Sequence, residues 1–326
     1  MLYPLKFKPM LKERIWGGTR LIDKYGKKPL NEASVSYGES WELSGVQDNI
    51  SVVTNGFLAG NTLEELIEVY MGDLVGDKVY QEFGIGFPLL IKLIDTADYL
   101  SIQVHPDNEM AAQLHQAYGK TEMWYILDCE KDSWIITGFK DEIVKENFSE
   151  IISNGTLKQY LRFENVSKDD FFFMPAGRVH AIGKGIMLVE IQQSSDITYR
   201  IYDWDRVNDK GKSRELHTHL AIDAIDFSIV MDTKIHKGIE LNTSQELVSC
   251  PFFKTNRLVL NKRIERDFSK LNSFIIYLCF EGEVELITFN NDNVTLNKGE
   301  LALIPAVLEN MALAPRKNAK LLEIYY

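Results

Sequence analysis

Three short stretches of this chain set polar, metal-competent side chains inside runs that otherwise read as apolar strands: Ser101-Ile102-Gln103-Val104-His105-Pro106, Gly119-Lys120-Thr121-Glu122-Met123-Trp124-Tyr125, and Phe173-Met174-Pro175-Ala176-Gly177-Arg178-Val179-His180. Residues two apart on a strand share a face, so Gln103 and His105 point the same way. Glu122 opens an apolar strand running to Leu127, and His180 follows a proline and a glycine that force a tight turn. Each of these groups costs a few kcal/mol if buried without a partner. Two imidazoles, a carboxylate and an amide oxygen converging inside a β-barrel make a site for a divalent metal, zinc by ligand type.

The spacing Pro175-x-Gly177-x-x-His180 resembles the second motif of the cupin superfamily. Gln103-x-His105 with the later Glu122 resembles its first motif, with Gln where many cupins have His. The expected fold is therefore mainly β: two cupin-type β-barrel (jelly-roll) modules with a few peripheral helices. Residues 1–235 are read as a metal-binding catalytic domain with a small helical insertion, and residues 236–326 as a C-terminal β domain without metal.

The division rests on an internal likeness. Phe172-Phe173-Met174-Pro175-Ala176-Gly177-Arg178-Val179-His180 lies over Ala302-Leu303-Ile304-Pro305-Ala306-Val307-Leu308-Glu309-Asn310. Apolar residues, Pro-Ala and then a polar residue five beyond the proline recur, and Asn310 stands where the metal histidine would be. Phe274 to Leu286 reads as a hairpin of the same architecture. Helices are expected from Asn61, taken as an N-cap, over Asp107 to Tyr118, in two pieces within Lys140 to Leu161, and over Ser213 to Phe227.

The 326 residues suit two domains or one large one. Hydrophobic content of 45% and charged content of 25% are ordinary for a globular protein. A net charge of −11 without a basic run argues against nucleic acid and anionic membrane as partners. The N-terminus lacks the layout of a signal peptide, and no apolar stretch approaches the ~20 residues a membrane span needs. Cys129, Cys250 and Cys279 are far apart in apolar runs and read as reduced thiols in a cytoplasmic protein. No P-loop and no GxGxxG after a strand supports nucleotide chemistry.

His217-Thr218-His219 has the H-x-H form, but its surroundings read as a helix. Two residues apart on a helix is about 200° of rotation, which points the rings to opposite sides. His115 and His236 are read as surface or packing residues.

Tyr99-Leu100-Ser101-Ile102-Gln103-Val104-His105-Pro106-Asp107 resembles the signature of type I phosphomannose isomerases, and Gly119-Lys120-Thr121-Glu122-Met123 resembles their K-x-E-M segment. The run Glu190-Ile191-Gln192-Gln193-Ser194-Ser195-Asp196-Ile197-Thr198-Tyr199-Arg200 resembles their glutamate-to-arginine segment. Arg14 to Gly18 and Ser40 to Ser44 fit the family's N-terminal strands. The long members carry a cysteine where Ile191 stands, an asparagine where Ile197 stands, and a large helical insertion of which Lys140 to Leu161 is a remnant. The chain resembles the short bacterial branch.

The resemblance implies a zinc-dependent isomerase, one zinc per chain, that interconverts mannose 6-phosphate and fructose 6-phosphate through a cis-enediol. By motif position Gln103, His105, Glu122 and His180 would be the ligands and Arg200 the catalytic arginine. Ser101, Lys120 and Glu190 would meet the sugar phosphate. Negative charge gathers on oxygen in such a reaction, where zinc acts as a Lewis acid and Arg200 offers permanently charged planar donors. Lys92, Lys120 and Arg200 are the candidate cations for the phosphate, and Lys92 is the one hardest to tell from an ordinary surface lysine. Glu190, Lys120 and a zinc-bound hydroxide stay open as the general base. The alternatives are another metal-dependent cupin enzyme, a phosphoglucose isomerase or dioxygenase, and a non-catalytic sugar-binding cupin. A monomer or weak homo-oligomer is expected.

Overall fold

All eight residues of the Ile186–Gln193 strand are buried, because it sits at the centre of a sheet covered on both faces. Met187, Val189 and Ile191 enter one apolar cluster, while Ile186 and Leu188 enter another on the opposite face. This is the two-residue period of a pleated strand. The computed structural model describes the chain except residues 30–35, 208–210, 230–233, 236 and 290–291. His236 lies outside the described residues.

The sheet has seven antiparallel strands, in the order Lys234–Ile235, Phe171–Met174, Glu122–Cys129, Ile186–Gln193, Leu89–Asp95, Tyr37–Ser44, Met10–Gly18. A five-stranded sheet faces it, ordered Tyr199–Tyr202, Ile102–Val104, His180–Ile182, Trp134–Phe139, Leu161–Asn165. Ile126, Phe172 and Ile186 of the first sheet pack with Ile135 and Ile182 of the second. Fully burying such a side chain contributes about 1.5–3 kcal/mol. Helices Lys145–Ser153 and Thr218–Ala224 cover the outer face of the smaller sheet, through Phe148, Ile151 and Ala221.

The interior row of the larger sheet changes character along the strands. Ile126 gives way to Trp124 and Glu122, Leu188 to Glu190 and Gln192, and Ile94 to Lys92, all buried. Strand alternation thus makes a barrel that is apolar at one end and polar at the other.

A third sheet of eight strands holds Ser244–Ser249, Lys254–Leu260, Ile264–Asp267, Ile275–Thr288, Val294–Asn297, Glu300–Ile304 and Asn310–Tyr325. Its remaining strand is Leu5–Lys6, so the start of the chain is stitched to Glu300–Ile304 at its far end. The fold is mainly β with few peripheral helices, consistent with cupin-type barrels. No helix among the described residues is long and apolar enough to cross a membrane.

Three local expectations are corrected. Phe274 to Leu286 is no hairpin: Ile275–Thr288 is one strand, bent by register shifts at Cys279/Glu281 and Gly282/Val284. Gly282 has φ of +80° and any Cβ there would lie 1.9 Å from the Asn318 carbonyl oxygen, so the glycine makes a bulge instead of a reversal. The N-cap is Thr62, not Asn61; its hydroxyl accepts from Glu65 N at 3.2 Å while Glu65 Oε2 accepts from Thr62 N at 2.8 Å. The helix expected over Ser213 to Phe227 spans only Thr218–Ala224. His217 N donates to Arg200 O at 2.7 Å and Asp226 N to Gly177 O at 2.9 Å, and these tertiary bonds hold the flanks out of the helix.

Candidate functional site

Four elements bring the polar groups together at the polar end of the barrel. Gln103 is paired directly with His180 across the five-stranded sheet. Glu122 is the first residue of its strand, between Gln192 and Met174 of the neighbouring strands. The Pro175-Ala176-Gly177 turn is tied to the end of the first ligand strand, since Gly177 N donates to His105 O at 2.9 Å. Gly177 has φ of +86°, a conformation that favours glycine.

His105 Nε2 lies 3.6 Å from Glu122 Oε2, and His180 Nε2 lies 3.5 Å from Glu122 Oε1. Gln103 Nε2 is 3.5 Å from His105 Nε2 and 3.3 Å from His180 Nε2. All three ionisable groups are buried, and they form the metal-competent cluster among the described residues. His105 Nδ1 faces the Ile197 carbonyl oxygen at 2.7 Å, and His180 Nδ1 faces that of Arg178 at 2.9 Å. An Nδ1–H donated to each carbonyl leaves both Nε2 lone pairs aimed inward, the tautomer a metal needs. Burial, with Lys120 beside it, pushes His105 well below its ordinary value, and burial brings His180 down to about 4. Both rings are neutral near pH 7.

Glu122 Oε2 is buried and accepts no hydrogen bond among the described residues, although the Lys120 ammonium stands 3.4 Å away. Burial, reinforced by the charge of Glu190, raises Glu122 to about 7. A buried carboxylate left short of a donor and two neutral imidazoles fit a divalent cation such as zinc, and the Gln103 oxygen, which here accepts from Ser101, joins them when the amide is turned over.

Beside this cluster opens a cavity of about 420 Å³, lined in part by Ser101, Gln103, Lys120, Glu190 and Arg200. Five of its lining residues are cationic (Arg14, Lys92, Lys120, Arg200, Arg214) and three are acidic (Glu39, Glu190, Asp196), a balance of +2 in a chain of net −11. Lys92 is not a surface lysine: it is 5% exposed, and its ammonium donates to Glu190 Oε1 at 2.8 Å and Gln192 Oε1 at 2.7 Å. Burial opposes ionisation of Glu190, but Lys92 and Lys120 outweigh it and hold the carboxyl well below its usual range. The other oxygen of Glu190 accepts from Trp124 Nε1 at 3.1 Å, and the same Nε1 reaches Glu122 Oε1 at 3.0 Å.

Arg200 is half-buried and makes no ion pair among the described residues. The two carboxylates that follow it in the chain are taken: Asp203 holds Arg206 at 2.6 Å and also Arg214, and Asp205 accepts from Tyr202 at 2.7 Å. Arg200 Nε donates to Ser101 Oγ at 3.3 Å and Nη1 to Glu215 O at 2.9 Å, and no partner of Nη2 is found among the described residues.

His217 and His219 do not form a ligand pair. His217 Nδ1 accepts from Arg200 N at 3.2 Å, so its work is to hold the arginine strand. His219 is exposed, and His115 is exposed with its ring nitrogen 2.7 Å from Tyr199 OH. Sequence reading missed Arg14, Trp16, Glu39, Trp41, Asp196 and Arg214 as pocket residues. Glu39 and Trp41 carried a usable signal, since they alternate with Ser40 and Glu42 on the Tyr37–Ser44 strand.

A family model described as phosphomannose isomerase type I, catalytic domain, matches residues 4–144. The chain is 40% identical to mannose-6-phosphate isomerase ManA of Bacillus subtilis (strain 168), over 93% of each chain. It is 34% identical to mannose-6-phosphate isomerase of Streptococcus mutans, over 95% of each. The crystal structure of the mannose 6-phosphate isomerase from Bacillus subtilis superposes with a TM-score of 0.87 at 33% identity, covering 99% of both chains. Phosphomannose isomerase from Salmonella typhimurium shares the fold, with a TM-score of 0.78 at 17% identity. With the ligand cluster, the cationic pocket and this similarity along nearly its whole length, the chain belongs to the type I phosphomannose isomerase family and is an isomerase of that family.

Proposed function

We propose that the chain interconverts D-mannose 6-phosphate and D-fructose 6-phosphate through a cis-enediol, with one zinc held by Gln103, His105, Glu122 and His180. The observation that carries this reading is the buried Glu122 carboxylate, whose two oxygens each face one neutral Nε2 and whose Oε2 has no hydrogen bond among the described residues, beside a cationic pocket. When bound there, zinc supplies Lewis-acid polarisation of the sugar's oxygens. Arg200, which lines the cavity, stabilises the negative charge that builds on those oxygens. Ser101 holds the arginine side chain through Nε and stands beside Gln103, 3.3 Å from its Oε1. Lys120, at 3.2 Å from His105 Nε2, brings a positive charge to the boundary between ligands and substrate. Glu190 acts on the substrate chiefly by fixing Lys92, since both of its oxygens are engaged. The phosphate is drawn by the excess of cations around the cavity.

A coupled assay on mannose 6-phosphate, with protein stripped by a chelator and then reconstituted, tests the proposal. Turnover should vanish on stripping and return with zinc. A reconstituted, folded protein that does not turn over the sugar phosphate refutes it. We also propose that residues 1–235 form the catalytic unit and residues 236–326 a metal-free β unit that walls it off.

A further inference from the structure

A second groove of the molecule lies apart from the metal pocket. A cavity of about 1060 Å³ runs between the segment holding Lys24, Tyr25 and Lys28 and the C-terminal sheet, with Lys298 in a turn and Arg316 and Lys317 on the Asn310–Tyr325 strand. Its size is that of a small-molecule site. Seven of its seventeen lining residues are Lys or Arg and three are Glu, a local balance of +4 in a chain of net −11.

The acidic residues are already neutralised. Glu281 pairs with Lys168 at 3.1 Å and Lys320 at 3.3 Å, Glu300 with Lys6 at 2.8 Å, and Glu283 with Arg316 at 3.3 Å. Lys168, Lys320 and Lys6 are not among the lining residues, so most of this neutralising charge comes from outside the groove, as does that of Asp128 on Lys24 and of Glu42 on Lys27. Lys8, Lys28, Lys298 and Lys317 have no carboxylate partner among the described residues; Lys298 lies over the Tyr25 ring, 4.4 Å from its centroid.

The floor is a built one. Lys27 is 8% exposed, and its ammonium donates to Glu42 Oε2 and to the Gly299 carbonyl oxygen, both at 2.6 Å. Of its three donors these two partners take two. Glu42 sits on the Tyr37–Ser44 strand, whose neighbours Glu39 and Trp41 line the metal pocket, so the two cavities lie on opposite sides of one strand.

We propose that this groove binds a small molecule carrying two or more phosphates. A phosphate group carries about −1.5 to −2 charges near pH 7, so two of them match the four unpaired lysines. The site is separate from the isomerase pocket and independent of the reaction assigned to it.

Titration calorimetry of the full-length, zinc-loaded protein with tripolyphosphate at about 0.15 M salt, where exposed charges are largely screened, tests the proposal. One tripolyphosphate should bind per chain. Affinity should fall at least tenfold in a Lys28→Glu, Lys317→Glu double variant and hold in Arg200→Ala. A second double variant, Lys8→Glu with Lys298→Glu, should weaken it likewise and decides the matter should the first fail to fold. Orthophosphate should bind at least tenfold more weakly. The proposal is overturned by absence of saturable binding, by equal affinity for orthophosphate, or by binding that Arg200→Ala removes and the groove variants keep.

Discussion

In the first barrel Glu190 lies opposite Trp124 on one neighbouring strand and Lys92 on the other; in the C-terminal sheet Glu323 lies opposite Tyr277 and Asn256. Met174, before Pro175, faces Glu122, and Ile304, before Pro305, faces Ile275. His180 faces Gln103, and Asn310 faces Asp267. The registers match position by position, yet Glu122 has become Ile275 and His180 has become Asn310. What differs most is how the buried carboxylate is satisfied. The two oxygens of Glu323 accept from Ser244 at 2.8 Å, Asn256 at 3.0 Å, Arg266 at 2.8 Å and Tyr277 at 2.6 Å. Glu122 keeps an oxygen with no hydrogen bond. The C-terminal cluster does leave Asn256 Oδ1 and Arg266 Nε unpartnered, but one is an acceptor and the other a donor, not a convergent set of acceptors. A closed polar cluster serves structure, whereas converging acceptors short of a donor call for a cation.

If that contrast holds, disabling the first cluster should cost the most. A His105→Ala, His180→Ala double variant should lose its zinc entirely and with it all measurable turnover, since zinc sites need at least three protein ligands. Full metal content in the double variant would move the site elsewhere in the chain.

Next comes Arg200→Ala, which should keep its zinc and melting temperature and lose on the order of 100-fold in turnover, the scale of one transition-state donor. Arg200→Lys should rescue poorly, because one ammonium does not reproduce a planar pair of donors. Near-normal turnover in a folded, zinc-loaded Arg200→Ala protein would show that the arginine is structural.

A smaller effect follows from pH. Glu122 of the metal-free protein is raised to about 7, above its ordinary 4.5. Its protonated form therefore stabilises the metal-free fold fully below about pH 4.5, and this contribution is lost as pH rises through about 7. Zinc must displace that proton, so its affinity should fall about tenfold per pH unit below about 7. The buried histidines add nothing until about pH 4, where His180 titrates. Proton release measured on zinc binding at pH 6 should be about one per chain and absent in Glu122→Gln; equal release in that variant would contradict the assignment.

The smallest effect on turnover should come from the C-terminal counterpart. Arg266→Met removes one partner of the buried Glu323 and should lower stability by about 3–5 kcal/mol, read by denaturant unfolding, while zinc content and turnover of the folded molecules stay unchanged. A loss of zinc there would dissolve the distinction between the two barrels.

Strand alternation made the candidate cluster legible, because Gln103, His105, Glu122 and His180 each announce themselves as polar residues on apolar strands, and the structure brings the four together. The same rule made Pro175 and Pro305 recognisable as matching turns. Arg14 and Arg214 escaped because their place in the pocket depends on how distant segments pack, which local period does not carry. Lys92 looked like a possible surface lysine until its two buried partners, Glu190 and Gln192, were placed opposite and diagonal to it. The shortened helix near His217 has the same cause: local propensity favoured Ser213 to Phe227, and tertiary bonds to Arg200 and Gly177 overrode it.

Anomalous diffraction from crystals of the zinc-loaded protein, collected at the zinc absorption edge, tests the central contrast most directly. The account predicts one peak per chain, enclosed by Gln103, His105, Glu122 and His180, and none beside Asn310 or Glu323. A peak in the C-terminal cluster, or its absence between His105, Glu122 and His180, would contradict it.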